Sequence, residues 1–508
     1  MRFAVPALVF SILLGACAAR PATDSPPPSE ATPPPPTLLQ VRVEPADALL
    51  TVDDRAIDAG VDFTIAAGAH TLRAERKGFE GIEREVQVAE GKSEQVTLQL
   101  VGLPQQVTVV SYPPGAAFTI RQGEETVAEG PAPLSAEVLA GSVQVSGSLE
   151  GYADSEATLF IDETTTHEEC MDRPGQLLDC LWEAPSVRSP KAVAFAPDSK
   201  EVWTAQLNKT PSLRVYDIAT GVEKQALTLG KAGAVELLFS EDGALLYASQ
   251  MDTGTVWEID PKKREILRKF KTKSRWTKIV ERSFDGKRLY ASNWLGHDVS
   301  EIDIEAGKTL RRLKTVNTPR GLWAAPDGER LFVAGFGTGQ LHRIDLATGK
   351  GKVIFKGGVL RHLEPDEQRG RLYISDMRRS IIWVMDMATE KVTKLASVEK
   401  LPNTIALTPD GKVLFVSCRG RNHPKNWMQP GPEWGSIMVL DALSGEVLDV
   451  IVAGNQPTGL DVSPDGRFMA FSDILDNRIR LYRVPPYEEL LAGSGGLRDS
   501  YKKALKKR

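Results

Sequence analysis

From Lys191 onward the chain repeats a turn, and that periodicity restricts the fold more than any other feature of the sequence. The turn stands at Pro197-Asp198-Ser199, Glu241-Asp242-Gly243, Phe284-Asp285-Gly286, Pro326-Asp327-Gly328, Pro409-Asp410-Gly411 and Pro464-Asp465-Gly466. A degenerate copy lies between Asp366 and Gly370. A second marker, an apolar residue before Asp, occurs at Tyr216-Asp217, Ile259-Asp260, Ile302-Asp303, Ile344-Asp345, Met385-Asp386 and Leu440-Asp441. Its aspartates are 43, 43, 42, 41 and 55 residues apart. Between the markers lie strand-like runs such as Leu331-Phe332-Val333-Ala334. Each unit reads strand, Pro-Asp-Gly turn, strand, loop, strand, Asp-x-x-x-Gly turn, strand. Pro presets the first turn position and Gly accepts positive φ. Four antiparallel strands in about 42 residues is the size of one propeller blade.

This repeat resembles the YVTN-type β-propeller family over about 300 residues, and its seven units imply seven blades. The seventh stops after its third strand, Arg480-Leu481-Tyr482-Arg483-Val484, before Pro485-Pro486. The apolar run from Gln176 to Trp182 has the right length to supply the missing strand. A strand from the N-terminal side would close the ring and remove an open edge, so the propeller is expected to begin near Met171.

The N-terminus reads as an address. Arg2 precedes an apolar run from Phe3 to Leu14, too short to span a bilayer, that ends in Leu14-Gly15-Ala16-Cys17. The last four residues resemble the bacterial lipoprotein box, which implies cleavage before Cys17 and lipidation of its thiol; the alternative is ordinary cleavage with Cys17 incidental. Ala18, rather than Asp, follows the cysteine, which by analogy with enterobacterial sorting points to the outer membrane. Residues 18–37 carry eight prolines among Ser, Thr and Ala, the composition of an extended spacer.

Leu39-Gln40-Val41-Arg42-Val43, Thr71-Leu72-Arg73-Ala74 and Val96-Thr97-Leu98-Gln99-Leu100 alternate apolar with polar, as half-buried strands do. Pro45-Ala46-Asp47-Ala48 and Gly78-Phe79 recur as Pro113-Pro114-Gly115-Ala116 and Gly151-Tyr152. The pattern resembles the PEGA domain, a small β-sandwich of bacterial envelope proteins, and implies a stalk or interaction role. The expected chain is all-β: a signal peptide over 1–16, a Pro-rich tether over 17–38, PEGA-like modules over 39–103 and 104–168, a seven-bladed propeller over 171–487 and a basic tail over 488–508. Its end, Lys502 to Arg508, is expected as a frayed helix, with contact to a membrane surface as the alternative.

With 62 Lys and Arg against 67 Asp and Glu, the net charge is -5, which argues against a nucleic-acid partner. Four cysteines without paired C-x-x-C spacing exclude a zinc cluster or a disulfide-rich scaffold. Cys170 and Cys180, exported together, are expected to form a disulfide, the alternative being two buried thiols. Cys418 reads as a small core residue ending a strand; a Cys–His nucleophile with His423 is the less favoured alternative. No nucleophile elbow, HExxH, P-loop or EF-hand sequence occurs. Gly335 to Gly339 reads as a hairpin and His342 as packed core. Asp473, Asp476 and Asn477 suit calcium but also a plain polar turn. Neither a metal nor a cofactor is expected.

In such a ring the Pro-Asp-Gly turns mark one face. The second-to-third-strand loops and the connections between blades share the other. That face is expected to carry Trp276, Lys278, Asn293, Trp294, His297, Arg320, Arg361, His362, Asp376, Asn403 and Gln456. It also carries the one long insertion, Arg419 to Gly435, with Arg419, Arg421, Asn422, Trp427, Glu433 and Trp434. Arg and Trp dominate binding hot spots. The favoured reading is an envelope lipoprotein, anchored by lipid, whose propeller binds a protein or glycan, with no catalytic residues. The rivals are a lactonase-type propeller hydrolase using His362, Glu364, Arg320 and Asp376, and a structural surface protein. Titratable groups deep in the channel would favour the enzyme, and Trp and Arg on the rim the binder.

Overall fold

A computed structural model describes residues 35–207, 211–493 and 497–507. Cys17, the leader and nearly all of the tether lie outside the described residues. Two compact units divide between Leu103 and Pro104.

The first unit is a small sandwich. Leu38–Glu44 lies between Asp62–Thr64, antiparallel, and Ser93–Gln99, parallel. A second sheet orders Arg55–Ala56, Leu49–Val52, Gly68–Glu75 and Ile82–Val88. The alternation read in the sequence puts Leu39, Val41 and Val43 on the buried face with Leu72, Val96 and Leu98.

The second unit opens with another sandwich of the same topology. Pro104–Tyr112 pairs with Leu134–Leu139 and, in parallel, with Thr165–Cys170. Glu125–Pro131, Ala117–Gln122, Gly141–Ser148 and Ser155–Ile161 form the facing sheet. Met171, where the sequence placed the start of the propeller, packs in this sandwich's core instead.

Seven four-stranded antiparallel sheets follow. Their inner strands are Pro190–Phe195, Glu236–Phe239, Thr277–Arg282, Pro319–Ala324, Leu360–Asp366, Pro402–Leu407 and Pro457–Val462, numbered here as blades 1 to 7. Each inner strand touches the next, and blade 7 touches blade 1, so the cycle is closed. The fourth strand of blade 7 comes from the N-terminal side: Asp179–Pro185 pairs antiparallel with Arg478–Arg483. It lies three residues beyond the run expected, because Asp449 takes the N–H groups of Leu177 (2.8 Å) and Leu178 (3.2 Å) and holds them in a turn. Glu183 in this strand pairs with Arg478 (3.1 Å) and Arg480 (2.9 Å). Trp182 Nε1 donates to the Ile218 carbonyl of blade 1 at 2.8 Å, sealing the seam.

Cys170 and Cys180 are disulfide-bonded, with Cα atoms 5.7 Å apart, joining the second sandwich to this closing strand. The Arg478 guanidinium also stacks 3.6 Å from the Tyr112 ring centroid.

The tail is not frayed. Helices span Tyr487–Ala492 and Leu497–Ala504, and Leu490, Tyr501 and Leu505 are buried. The second helix covers Val447–Val452, the outer strand of blade 6. That strand is mostly buried, whereas its counterpart Glu265–Lys271 is charged and exposed. An apolar outer strand needs a cover, and the tail provides it. No helix among the described residues is long and apolar enough to cross a membrane.

Candidate functional site

Six of the seven inner strands carry a bulge just after their first residue. A bulge leaves a residue unpaired and re-aims its side chain. The residues in this position include Lys191, Lys278, Arg320, Arg361, Asn403 and Thr458. Second-strand serines take up the bulged N–H groups: Ser292 accepts from Ile279 (3.1 Å), Ser375 from His362 (3.0 Å), Ser417 from Thr404 (3.0 Å) and Ser472 from Gly459 (3.0 Å). Three serines also reach into the next blade. Ser249 donates to the Lys278 carbonyl (2.5 Å), Ser292 to that of Arg320 (3.0 Å) and Ser375 to that of Asn403 (2.8 Å). The backbone under the mouth is held from both sides.

The side chains above that backbone are not. Arg320 is 5 % exposed, forms no ion pair among the described residues, and has an unpaired Nε. Neither amide atom of fully buried Asn403 has a partner, nor do Arg419 Nε and Nη2, nor Gln456 Oε1. Burial, opposed by Glu236, brings Arg320 down to about 10. Burial and then the Arg320 charge lower Lys278 to about 7, Arg419 to about 10 and His362 to about 4. Lys191 falls well below its usual range through burial and the charges of Arg320, Arg419 and Lys278. Burial raises Glu236 to about 7 against the pull of Arg320 and Lys191.

Aromatic rings border the cations. Lys278 Nζ lies 5.5 Å from the Trp276 centroid and 5.2 Å from that of Trp294, and the Arg320 guanidinium is 5.4 Å from Trp294. Phe336 backs Trp294 at 4.6 Å. Across the mouth Arg419 sits 5.5 Å from Trp427. Trp276 and Trp427 remain 40 % and 46 % exposed.

Deeper in the channel, a cavity of about 280 Å³ is lined by Glu236, Glu281, His362, Glu364 and Asp461 among apolar neighbours. Three of these carboxylates hold adjacent blades together. Glu281 accepts from the Ala324 N–H (3.3 Å), Glu364 from Leu407 (3.3 Å) and Asp461 from Phe195 (2.8 Å). Burial raises Glu281 and Glu364 to about 8, with Asp461 adding to the rise at Glu364, and raises Asp461 to about 7. Sequence reasoning missed Lys191, Glu236, Glu281 and Asp461. For Glu281 and Asp461 the available signal was a charge at an inner-strand position that other blades fill with Ala194, Leu238 or Ala406.

Several expected face residues are engaged in structure instead. Asp376 accepts from Gly358 (2.8 Å), Val359 (3.0 Å), Arg379 (3.2 Å) and Trp383 Nε1 (3.1 Å), so it caps the connection between blades 4 and 5. Asn293 is fully buried, bonded to Thr277, Asp298 and Ser300. His297 is exposed and accepts from the Thr318 N–H at 3.1 Å. Arg361 is buried. Glu433 pairs with Arg421 (2.7 Å) and Lys400 (3.6 Å), which stiffens the insertion. Trp434 turns to the tail: its N–H donates to Leu505 (2.8 Å) and Lys507 Nζ lies 4.3 Å from its ring. Gln456 Nε2 donates to the Trp427 carbonyl (2.5 Å) and Asn422 Oδ1 (3.3 Å), pinning the loop to blade 7. Cys418 is fully buried, and burial pushes its thiol well up; His423 accepts from its own loop's Lys425 and Asn426 N–H groups. No group of three His, Cys, Asp or Glu among the described residues is placed to hold a metal.

Residues 318–494, which span blades 4 to 7, match the family described as SMP-30/Gluconolactonase/LRE-like region. The chain is 35% identical over 312 residues to Antigen Lp49 of Leptospira interrogans, covering 58% of this chain and 67% of the antigen. Among solved structures it is similar to Kuenenia stuttgartiensis hydrazine synthase at 18% identity, covering 58% of this chain and 96% of that one, with a TM-score of 0.49.

Proposed function

The chain belongs to the family of the Leptospira interrogans antigen Lp49, and from that premise we propose that it is a lipid-anchored envelope protein whose propeller captures a protein or glycan partner on its loop-rich face. One observation carries this reading. Arg320, Lys278 and Arg419 are bordered by Trp276, Trp294 and Trp427, and both arginines carry buried donors left unused. Groups held in place with spare hydrogen-bonding capacity favour capture of a ligand. An antigen as relative supports a place at the cell envelope, and the box ending at Cys17 supports an outer-membrane lipid anchor. The two sandwiches serve as PEGA-like stalk or interaction modules. The charge balance favours a partner other than nucleic acid.

Envelope extracts passed over wild type, Trp276→Ala, Trp427→Ala and Lys287→Ala test the face. The partner should be retained by wild type and Lys287→Ala, which alters an exposed turn on the opposite face, and lost by the tryptophan variants. Loss only with Lys287→Ala overturns the assignment. For the anchor, Cys17→Ser should release the protein from membranes. An unmodified mature N-terminus elsewhere, seen by mass spectrometry, refutes lipidation.

A second reading, a lactone hydrolase, draws support from the gluconolactonase named in the matching family and from His362 and Glu364 lining the channel. Against it, Glu364 is already engaged by the Leu407 N–H. Lactone turnover that disappears in His362→Ala would replace the binding reading.

A further inference from the structure

We propose, resting on the reading that the loop-rich face is the binding face, that the ligand is an acidic saccharide whose phosphate, sulfate or carboxylate group is held in the channel mouth by Arg320, Arg419 and Lys278.

The charges in the mouth do not balance. Lys191, Lys278, Arg320 and Arg419 stand there against two carboxylates: Glu236, which acts on Lys191, Lys278 and Arg320, and Asp252, which acts on Lys278. His362 lies near the same cluster, and burial, then the Arg320 charge, lowers it to about 4. Elsewhere this protein pairs sheltered arginines with carboxylates: Arg480 with Glu183 (2.9 Å) and Asp473 (3.2 Å), and Arg264 with Glu201 (2.6 Å). Arg320 and Arg419 depart from that habit, and neither forms an ion pair among the described residues. An uncompensated buried cation is costly. The fold does not require one at this position, since blade 7 carries neutral Thr458 in the equivalent bulge.

An oxyanion supplies what is missing. Guanidinium N–H groups match the oxygens of phosphate, sulfate or carboxylate, and hydrogen bonds between charged partners are the strong ones. The Asn403 amide, fully buried and unpaired at both ends, adds a neutral donor beside them. The exposed faces of Trp276 and Trp427 flank the mouth, each carrying one of the cations. A flat, partly apolar ring such as a sugar can lie against an indole while its acid group reaches the arginines. The serine bonds to the Lys278, Arg320 and Asn403 carbonyls fix the backbone in advance, so little ordering is left to the ligand.

Calorimetric titration of the full-length protein with tetragalacturonate, a heparin-derived tetrasaccharide, inorganic phosphate, neutral cellotetraose and tetraglutamate tests this. At least one acidic saccharide should bind, weaken as salt is raised, and bind at least tenfold less tightly to Arg320→Gln and Arg419→Gln. Phosphate alone should compete weakly, because it lacks the ring. Phosphate binding as tightly as the saccharides assigns the site to a free ion and overturns the saccharide. Tetraglutamate binding more tightly assigns it to an acidic peptide and likewise overturns the saccharide. Binding of cellotetraose equal to that of its acidic counterparts, or no binding of any anionic probe, overturns the oxyanion site.

Thermal melting separates ligand contact from structural support. Unliganded Arg320→Gln should melt at or above the wild-type temperature, since it sheds an unpaired buried charge. A lower melting temperature overturns the assignment of Arg320 as a ligand contact. If the tryptophan variants lose the envelope partner while no anion binds, only this inference falls; if they retain it, the binding face itself is wrong.

Discussion

Ser292 Oγ donates to the carbonyl oxygen of Arg320 across the junction of blades 3 and 4, at 3.0 Å, while accepting the bulged N–H of Ile279 at 3.1 Å. One hydroxyl thus satisfies a bulge in its own blade and fixes the backbone of a buried arginine in the mouth. Ser375 does the same for His362 and Asn403. The arrangement ties ring closure to the placement of the polar side chains in the mouth.

Ser292→Ala should therefore destabilise the propeller by about 1–3 kcal/mol, because it leaves a buried donor and acceptor without partners. Ligand affinity should fall with it, although serine touches no ligand. Urea unfolding and calorimetry on the same preparation check both effects. Unchanged stability would show that water replaces the hydroxyl.

Glu183→Gln should be severe. It removes the carboxylate facing Arg478 and Arg480 in the closing strand, and breaking one side of a buried pair costs about 3–5 kcal/mol. A chain beginning at Ser186 loses the whole strand and exposes the edge of blade 7, so it should aggregate. Light scattering and melting curves, compared with a chain beginning at Thr165, decide this. Equal behaviour would mean the ring holds without its last strand.

Stability should fall as pH rises through the neutral range, and the channel acids are the cause. Glu281 and Glu364 keep their protons to about 8 in the folded chain, against an ordinary value of 4.5. Between those values the folded state holds protons that the unfolded state has released, so raising the pH favours unfolding. Glu281→Gln with Glu364→Gln reduces this dependence while keeping an acceptor for Ala324 and Leu407; Glu236 and Asp461, both raised to about 7, supply what remains. The variant should gain more than about 1 kcal/mol over wild type between pH 5 and pH 8. Parallel denaturation curves across that window would count against protonated channel acids.

Cys170→Ser with Cys180→Ser should lower stability by about 2–3 kcal/mol, the loop entropy expected for a link across ten residues. The same loss should appear in wild type under reducing conditions, and calorimetry with and without reductant provides the comparison.

A chain ending at Gly493 should loosen the insertion from Arg419 to Gly435. It loses the Leu505 carbonyl that accepts from Trp434, the Lys507 ammonium over the Trp434 ring, and the buried Tyr501 and Leu505. Each such side chain contributes about 1.5–3 kcal/mol on burial. Limited proteolysis should cut the insertion faster in the shortened chain; an unchanged cleavage rate would show that the Gln456 and Glu433 contacts hold the loop without the tail.

The repeat and its turns are legible in the order of residues alone. These are local matters: Pro and Gly act within a turn, and alternation acts along one strand. The incomplete last blade is legible too, since a missing strand leaves a visible gap in a strict period. Which side chains on the loop-rich face stay free is settled only once the ring has closed. Asp376 and Asn293 look as available in sequence as Arg320, yet the first is taken up by backbone N–H groups of a neighbouring connection and the second by side chains of its own blade. Asp461 reads as one polar residue in a strand until the ring brings it to the N–H of Phe195, 266 positions away. Lys191 and Glu236 acquire their shifted charge states only because blades distant in sequence surround them with protein and with each other. Burial and charge neighbourhood belong to the closed ring, and no window of the chain contains them.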